Sequence, residues 1–316
     1  MALGSPGAQA LSAGKKLQPF QKKAHQLFSD SVRLNEPLSR HTTFRIGGPA
    51  SIFFKINDFS LLKKILYFCQ QNRLKIFVIG KGSNLLFSDK GFDGAVLKLE
   101  GEFEKIKQKG KNTLIAAAAA SLQKLCFMAQ DAGLSGLEWA WGLPATVGGA
   151  VATNAGAFGV SIAKNLKSLT VFDIKKNRIF KIPSKKIKFS YRLCHLDKNL
   201  IILEAEIKLT PADKKSIQDK MAETYQLRQL RQPLEFPSAG SIFKNPSGKF
   251  AGELIEKAGL KGKKIGGAEI SEKHANFIIN KGGAKAADVL KLIQLIKNKI
   301  KTKFAVQLKE EIVIVK

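Results

Sequence analysis

Ser241 lies in PSAGSIFKNP (237–246), flanked by small residues, with Lys244 and Asn245 three and four positions further on. A hydroxyl presented on a glycine loop beside a cation and an amide can act as a nucleophile or as a proton donor. The GxSxG pattern of a nucleophile elbow is absent. A serine in a turn also serves backbone structure more often than chemistry. His274, in SEKHANFIIN, is the obvious candidate base, and equally a residue packed beside a strand.

Two glycine segments offer binding rather than reaction. Residues 136–159, GLEWAWGLPATVGGAVATNAGAFG, hold six glycines and no Lys or Arg across 24 positions, in a chain with a basic residue about every sixth position. Glycine lets backbone approach a partner closely or take positive φ, and Asn154 can donate and accept from such a loop. The segment reads as backbone wrapped around something large, flat and mostly uncharged, or as a tightly turned core loop. The second segment, GKGSNLLF (80–87), lies between two apolar stretches and can aim successive N–H groups at a phosphate. It is not GxGxxG opening a helix, so a Rossmann nucleotide site is disfavoured. A plain hairpin turn fits it equally well.

The formal net charge is +28, from 53 basic and 25 acidic residues. Such a charge invites nucleic acid as a partner. However, the basic residues are 45 Lys and only 8 Arg, spread over the whole chain, where Arg is favoured for bidentate phosphate and base contacts. No zinc-finger spacing or RNP-like motif occurs, so no specific nucleic-acid partner is expected. A diffuse field that draws in small polyanionic substrates accounts for the charge better. Cys69, Cys126 and Cys194 form neither a CxxC nor a disulfide framework, which fits the cytoplasm. No metal site, membrane span or secretory signal is expected.

The elements that must position these residues are legible from apolar periodicity. Helices are expected at Leu61–Asn72, Leu122–Ala132, from Pro211 and Asp213 to about Gln232, at Phe250–Ala258, and at Ala286–Lys301 with Val289, Leu290, Ile293, Ile296 and Ile300 inward. Strands are expected at Lys75–Ile79, Gly94–Leu99, Thr113–Ala119, Ser168–Ile174, Arg178–Ile182, Leu200–Leu209, Ala275–Asn280 and Glu311–Val315. The pattern is α+β with a late α/β module. Residues 1–30 are expected to be a flexible tail, 31–211 one domain in two parts meeting near 101, and 212–316 a second domain.

HTTFRIGGPA (41–50), VIGKGSNLLF (78–87), the 136–159 segment, FSYR (189–192), QPLEFPSAGSIFKNP (232–246), residues 251–280 and the terminal FAVQLKEEIVIV follow one another in the order and spacing of a known family. Together they resemble UDP-N-acetylenolpyruvoylglucosamine reductase, over roughly residues 35–315. QPLxxPSAGSxFKNP is similar to the family's second structural type, which lacks a substrate-covering tyrosine loop.

The resemblance implies a two-part FAD-binding domain of the vanillyl-alcohol-oxidase class, followed by a C-terminal α/β substrate domain, in a monomer. It implies FAD as cofactor, NADPH as co-substrate and a UDP-sugar as substrate. FAD would be bound by Arg45, Gly80, Lys81, Gly82, Ser83, Asn84, Gly142, Pro144, Gly148, Gly149, Asn154 and Gly156. Ser241 would be the proton donor, Arg192 would bind the substrate carboxylate, and Glu311 would be the second stabiliser. Tyr191, Lys244 and Asn245 would contact substrate. The chain departs from the family at Ala145, commonly glycine, and at Thr153, commonly methionine. His41 stands where asparagine is frequent, and Trp141 is bulkier than usual. Glu310 and Glu311 are adjacent, and the apolar residue that follows favours Glu311.

Overall fold

The computed structural model describes residues 2–3 and 17–316. The chain forms two compact units, neither continuous in sequence. One comprises residues 1–34, 51–81 and 93–226; the other comprises 35–50, 82–92 and 227–316. Linear boundaries at 31, 101 and 212 therefore do not describe the packing.

The first unit contains two five-stranded sheets. One has the order Ala2–Leu3, Ile76–Ile79, Phe92–Leu99, Pro49–Ile56, Val32–Pro37. Its core takes Leu62, Ile65, Leu66 and Cys69 from the helix Phe59–Gln71. That helix starts where Asp58 accepts from the Leu61 N–H at 2.8 Å, an N-cap that satisfies one of its unpaired donors. Residues 18–28, within the stretch expected to be a tail, form a helix with Ala24 fully buried and Phe28 edge-on to Phe54 and Phe68. The rest of that tail, residues 4–16, lies outside the described residues.

Strands 76–79 and 92–99 pair in parallel, Ile76 with Ala95 through Ile79 with Lys98. Parallel strands need a crossover, so the GKGSN loop is not a hairpin turn. The other sheet is antiparallel, in the order Arg178–Pro183, Leu166–Asp173, Leu200–Lys208, Thr113–Ala117, Ile106–Lys109. Its core adds Leu122, Leu125, Cys126 and Ala129 of the helix Leu122–Asp131. Inside the glycine-rich segment a six-residue helix forms, Val147–Ala152, which glycine content had concealed.

The second unit packs the helix Ala286–Phe304 on a four-stranded sheet ordered Ser238–Ser241, Phe277–Asn280, Ala268–Ile270, Lys264–Ile265. The inward stripe of that helix is Val289, Leu292, Ile293, Ile296 and Ile300, while Leu290 is 36% exposed. Leu290 and Leu292 compete for one stripe, and the rotation that buries Val289 and Ile293 carries Leu292 inward instead. Asp89 caps this helix from a distant loop, accepting from Ala286 N at 2.7 Å and Ala287 N at 3.0 Å. Gly48 lets that loop sit close: a Cβ there would fall 2.1 Å from the Asp89 carbonyl oxygen. Val313–Val315 pairs in parallel with Leu85–Phe87. No helix among the described residues is long and apolar enough to cross a membrane.

Candidate functional site

In the first unit the strand 76–79 ends at Gly80, where the segment 145–149 is zipped to 118–122. Gly148 N donates to Ala118 O, Val147 N to Ala120 O and Leu122 N to Ala145 O. Thr146 Oγ1 accepts from Gly149 N and starts the short helix. The glycines here are dictated by proximity. A Cβ on Gly80 would lie 2.5 Å from Thr146 Oγ1, and one on Gly148 would lie 2.9 Å from Ala118 Cβ. Ala145, the family departure, avoids the positive-φ region, so it costs no backbone strain.

Beside this junction opens a cleft. Val78, Ile79, Leu99, Ala118, Leu200 and Ile202 wall it, and Gly80, Gly148, Gly149, Thr146 and Lys198 supply its polar edge. An apolar slot bordered by glycine backbone, a hydroxyl and one ammonium suits a flat ring joined to a diphosphate. Of the GKGSN loop only Gly80 lines it; Lys81 is exposed. Gly142 turns the chain at φ +82, Pro144 is exposed, and Gly156 lies against Val160, where a Cβ would come within 2.4 Å of the carbonyl oxygen.

Asn154 is buried in the left-handed conformation, φ +45. Its Nδ2 donates to Ser190 O at 2.9 Å, while its buried Oδ1 has no hydrogen-bond partner among the described residues. A buried acceptor left unmade costs about 1–3 kcal/mol, so a ligand N–H is the fitting occupant. The bond to Ser190 ties the glycine segment to the hairpin of Lys188–Ser190 and Leu193–His195. Tyr191 and Arg192 form the tip of that hairpin. Arg192 has φ +56, and its guanidinium carbon is 5.4 Å from the Tyr191 ring centroid.

In the second unit, Ser238 pairs with Ile279 and Ser241 with Phe277, so a bulge falls at Ala239–Gly240, with Gly240 at φ +73. A bulge bends its strand and re-aims the side chains beyond it, here Ser241. The chain then runs antiparallel to 309–311: Glu311 N donates to Ile242 O at 2.8 Å and Lys244 N to Lys309 O at 2.9 Å. Asn84 Nδ2 donates to Glu311 O at 3.2 Å, and Val313 N donates to Asn84 O. Ser241, Lys244, Asn84 and Glu311 are thus gathered by backbone pairing.

Lys297 binds Glu310 at 2.8 Å. Burial works against the Glu310 carboxylate, but the Lys297 hydrogen bond holds its pKa below the ordinary value. Glu310 is therefore committed to an ion pair. Gly82 sits where a Cβ would be 2.2 Å from His41 O, and a Cβ on Gly240 would be 4.0 Å from Ser83 O. His41, the other departure in this unit, pairs with buried Glu36 at 2.9 Å. Arg45 is exposed at φ +55. Asn245 uses its Oδ1 on Ala251 N, opening the helix Ala251–Lys257, and keeps its amide N–H groups exposed.

His274 is not placed as a base. Its Nδ1 accepts from Asn276 N, its ring stacks edge-on to Phe277, and burial lowers its pKa. Two residues escaped the sequence reading. Lys198 is an exposed turn lysine that only the fold brings to the cavity. Asn276, buried, bonds both Phe243 N and Phe243 O, at 2.9 and 2.8 Å, and so clamps the strand that carries Ser241. Its signal was a polar side chain inside the apolar run ANFII.

Residues 232–315 match the family model of the UDP-N-acetylenolpyruvoylglucosamine reductase C-terminal domain, and residues 51–182 that of an FAD binding domain. UDP-N-acetylenolpyruvoylglucosamine reductase of Clostridium botulinum is 41% identical over 91% of this chain and 93% of its own length. The enzyme of that name from Caldanaerobacter subterraneus subsp. tengcongensis is 44% identical over 89% and 93%. The crystal structure of the reductase from Thermus caldophilus superposes with a TM-score of 0.78, at 36% identity, over 90% of this chain and 98% of that one. The cavity's apolar walls and glycine edge, together with the orphaned Asn154 acceptor elsewhere in the same unit, fit a flavin dinucleotide, in line with the expected two-part FAD-binding fold and C-terminal domain. The chain belongs to the UDP-N-acetylenolpyruvoylglucosamine reductase family and is an FAD-dependent oxidoreductase.

Proposed function

We propose that this protein uses NADPH to reduce UDP-N-acetylglucosamine enolpyruvate to UDP-N-acetylmuramate, in the cytoplasm, as a step of peptidoglycan precursor synthesis. FAD held by Gly80, Gly148, Gly149 and Asn154 would supply hydride chemistry to the enol ether double bond, with NADPH as the source of reducing equivalents. Negative charge then grows on the double-bond carbon that bears the carboxylate, and the protein's own groups must meet that charge.

Arg192 offers a fixed two-pronged donor to the carboxylate. The Ser241 hydroxyl donates its proton to the adjacent carbon and recovers one from solvent. A hydroxyl is a weak acid, but a developing carbanion is a strong enough base to take its proton. Glu311 stabilises the same charge in its protonated form, which a neighbouring anionic substrate favours. Lys244 and the Asn245 amide bind the diphosphate, and Tyr191 packs on the substrate beside Arg192. Gly80, Gly148, Gly149 and Asn154 hold the cofactor. The observation that carries this reading is the bulge at Gly240, which presents Ser241 beside the strand of Glu311.

Ser241→Ala tests it. Flavin reduction by NADPH needs no carbon protonation and stays near the wild-type rate. Reoxidation by the enolpyruvyl substrate slows by at least ~10²-fold, the lower range for general-acid catalysis. Stopped-flow traces in which both half-reactions slow equally make Ser241 a structural residue.

A further inference from the structure

HTTFRIGGPA (41–50) carries part of the family resemblance, yet of its residues only Arg45 has been given a role at the site. Its first residues form an anchored turn in the second unit. Arg45 N donates to Thr42 O at 3.1 Å, and the buried Thr42 Oγ1 donates to Ile46 O at 3.1 Å. Phe44 is fully buried in one core with Ala239, Ile242 and Phe243, and its carbonyl accepts from Asn280 Nδ2 at 3.1 Å. Thr43 stands between these two anchors.

Thr43 works in two directions. Its backbone N–H donates to Gly82 O at 3.4 Å, on the glycine loop. Its hydroxyl donates to Ser238 O at 2.7 Å, 195 residues further along the chain. Ser238 is the last residue paired with Ile279 before the bulge at Ala239–Gly240, and Ser241 resumes the pairing on the far side. The loop also lies against that bulge, since a Cβ on Gly240 would be 4.0 Å from Ser83 O. Thr43 therefore fixes the near end of the bulge, as Asn276 fixes the far end through Phe243. A β-branched side chain suits this work, because its hydroxyl has few rotamers in which to wander.

We propose that Thr43 is a positioning residue for Ser241: its hydroxyl holds the Ser238 carbonyl and so sets the bulge that aims the Ser241 hydroxyl. Proton delivery to carbon is sensitive to such aim, because a misplacement of about 1 Å can cost ~10²-fold in rate. The two contacts of Thr43 divide its work. The backbone bond to Gly82 survives any substitution other than proline, whereas the bond to Ser238 depends on the side chain. The inference rests on the proposed role of Ser241 and adds to it a residue that does not touch substrate.

The test compares Thr43→Val, Thr43→Ser, Ser241→Ala and the Thr43→Val, Ser241→Ala double variant, each in the full chain. Valine keeps the size, the branching and the N–H to Gly82. The Kd for FAD, read from flavin fluorescence as apoprotein is titrated, therefore stays within about 3-fold of wild type, and flavin reduction by NADPH stays near the wild-type rate. Reoxidation by the enolpyruvyl substrate slows about 10-fold or more. Serine keeps the hydroxyl and brings reoxidation back to within about 3-fold of wild type. The double variant is no slower than Ser241→Ala alone, within about 2-fold, because a residue that acts through another adds nothing once the other is gone. Losses that multiply in the double variant overturn the inference, as does unchanged reoxidation in Thr43→Val. Equal slowing of both half-reactions, or weakened FAD binding, also overturns it, by making Thr43 a support of the whole unit or of the glycine loop. If Ser241→Ala itself reoxidises at the wild-type rate, the proposed role of Ser241 fails instead.

Discussion

Asn276→Ala isolates the positioning of Ser241 from its chemistry. Asn276 is 4% exposed, and the Phe243 peptide groups it serves belong to a residue 1% exposed. Truncation leaves one buried N–H and one buried C=O unmade, at about 1–3 kcal/mol each. Entry of a water recovers part of this, so a net loss of about 2–4 kcal/mol is expected. For a chain of this size each kcal/mol moves Tm by about 2–4 °C, giving a fall of roughly 4–16 °C by calorimetry. With the clamp gone the 241–245 strand loosens, and substrate-driven flavin reoxidation slows at least ~10-fold while FAD content is kept. Asn276→Asp sharpens the test. At pH 7 its carboxylate faces the Phe243 carbonyl oxygen, 2.8 Å from the present donor, so this Asp has a folded pKa above its unfolded value. The protonated form restores the donor, and the deficit against wild type narrows as pH falls from 7 toward 5. An Asn276→Ala protein within about 0.5 kcal/mol of wild type, with unchanged reoxidation, refutes the clamp.

The Glu206 carboxylate, 3% exposed, is bonded to Lys181 and Ser168 and paired with Lys167 at 3.0 Å and Lys109 at 3.6 Å. The Lys181 hydrogen bond foremost, against desolvation, lowers its pKa to about 2. Its stabilisation is therefore complete above the unfolded carboxyl pKa and lost as pH falls from about 4.5 to about 2. Its ceiling is about 3 kcal/mol, reduced because the lysines are half-exposed. Glu206→Gln flattens that limb of the stability–pH curve in urea titrations, and parallel wild-type and variant curves count against it. Neither glycine segment, 80–87 or 136–159, contains a Cys or His to anchor a flavin. Acid precipitation accordingly releases all the yellow colour, and colour retained on the pellet marks a covalent link.

Regular elements were legible where apolar spacing was unambiguous: the helix expected at 61–72 runs from 59 to 71, and the strand expected at 200–209 runs from 200 to 208. What escaped has local reasons. The helix 147–152 contains two glycines, poor helix formers, and exists because Thr146 and residues 118–120 satisfy its first N–H groups. Motif order named Ser241 and Glu311, but their apposition depends on pairing between segments about 70 residues apart, invisible to any periodicity. Arg192 was legible as a residue type, whereas its left-handed backbone, which sets where the guanidinium points, was not.

The parallel pair formed by Leu85–Phe87 and Val313–Val315 has a consequence for biosynthesis. At ribosomal speeds of about 5–20 residues per second, roughly 10–45 s separate the emergence of the two strands. Throughout that interval the earlier strand carries an open edge, and the second unit cannot close until its last residues leave the exit tunnel. Parallel pairing across so long a loop is also intrinsically slow to form. The earlier strand is therefore open to mispairing over that interval, and removal of Ile314 and Val315 strikes the pairing that closes it.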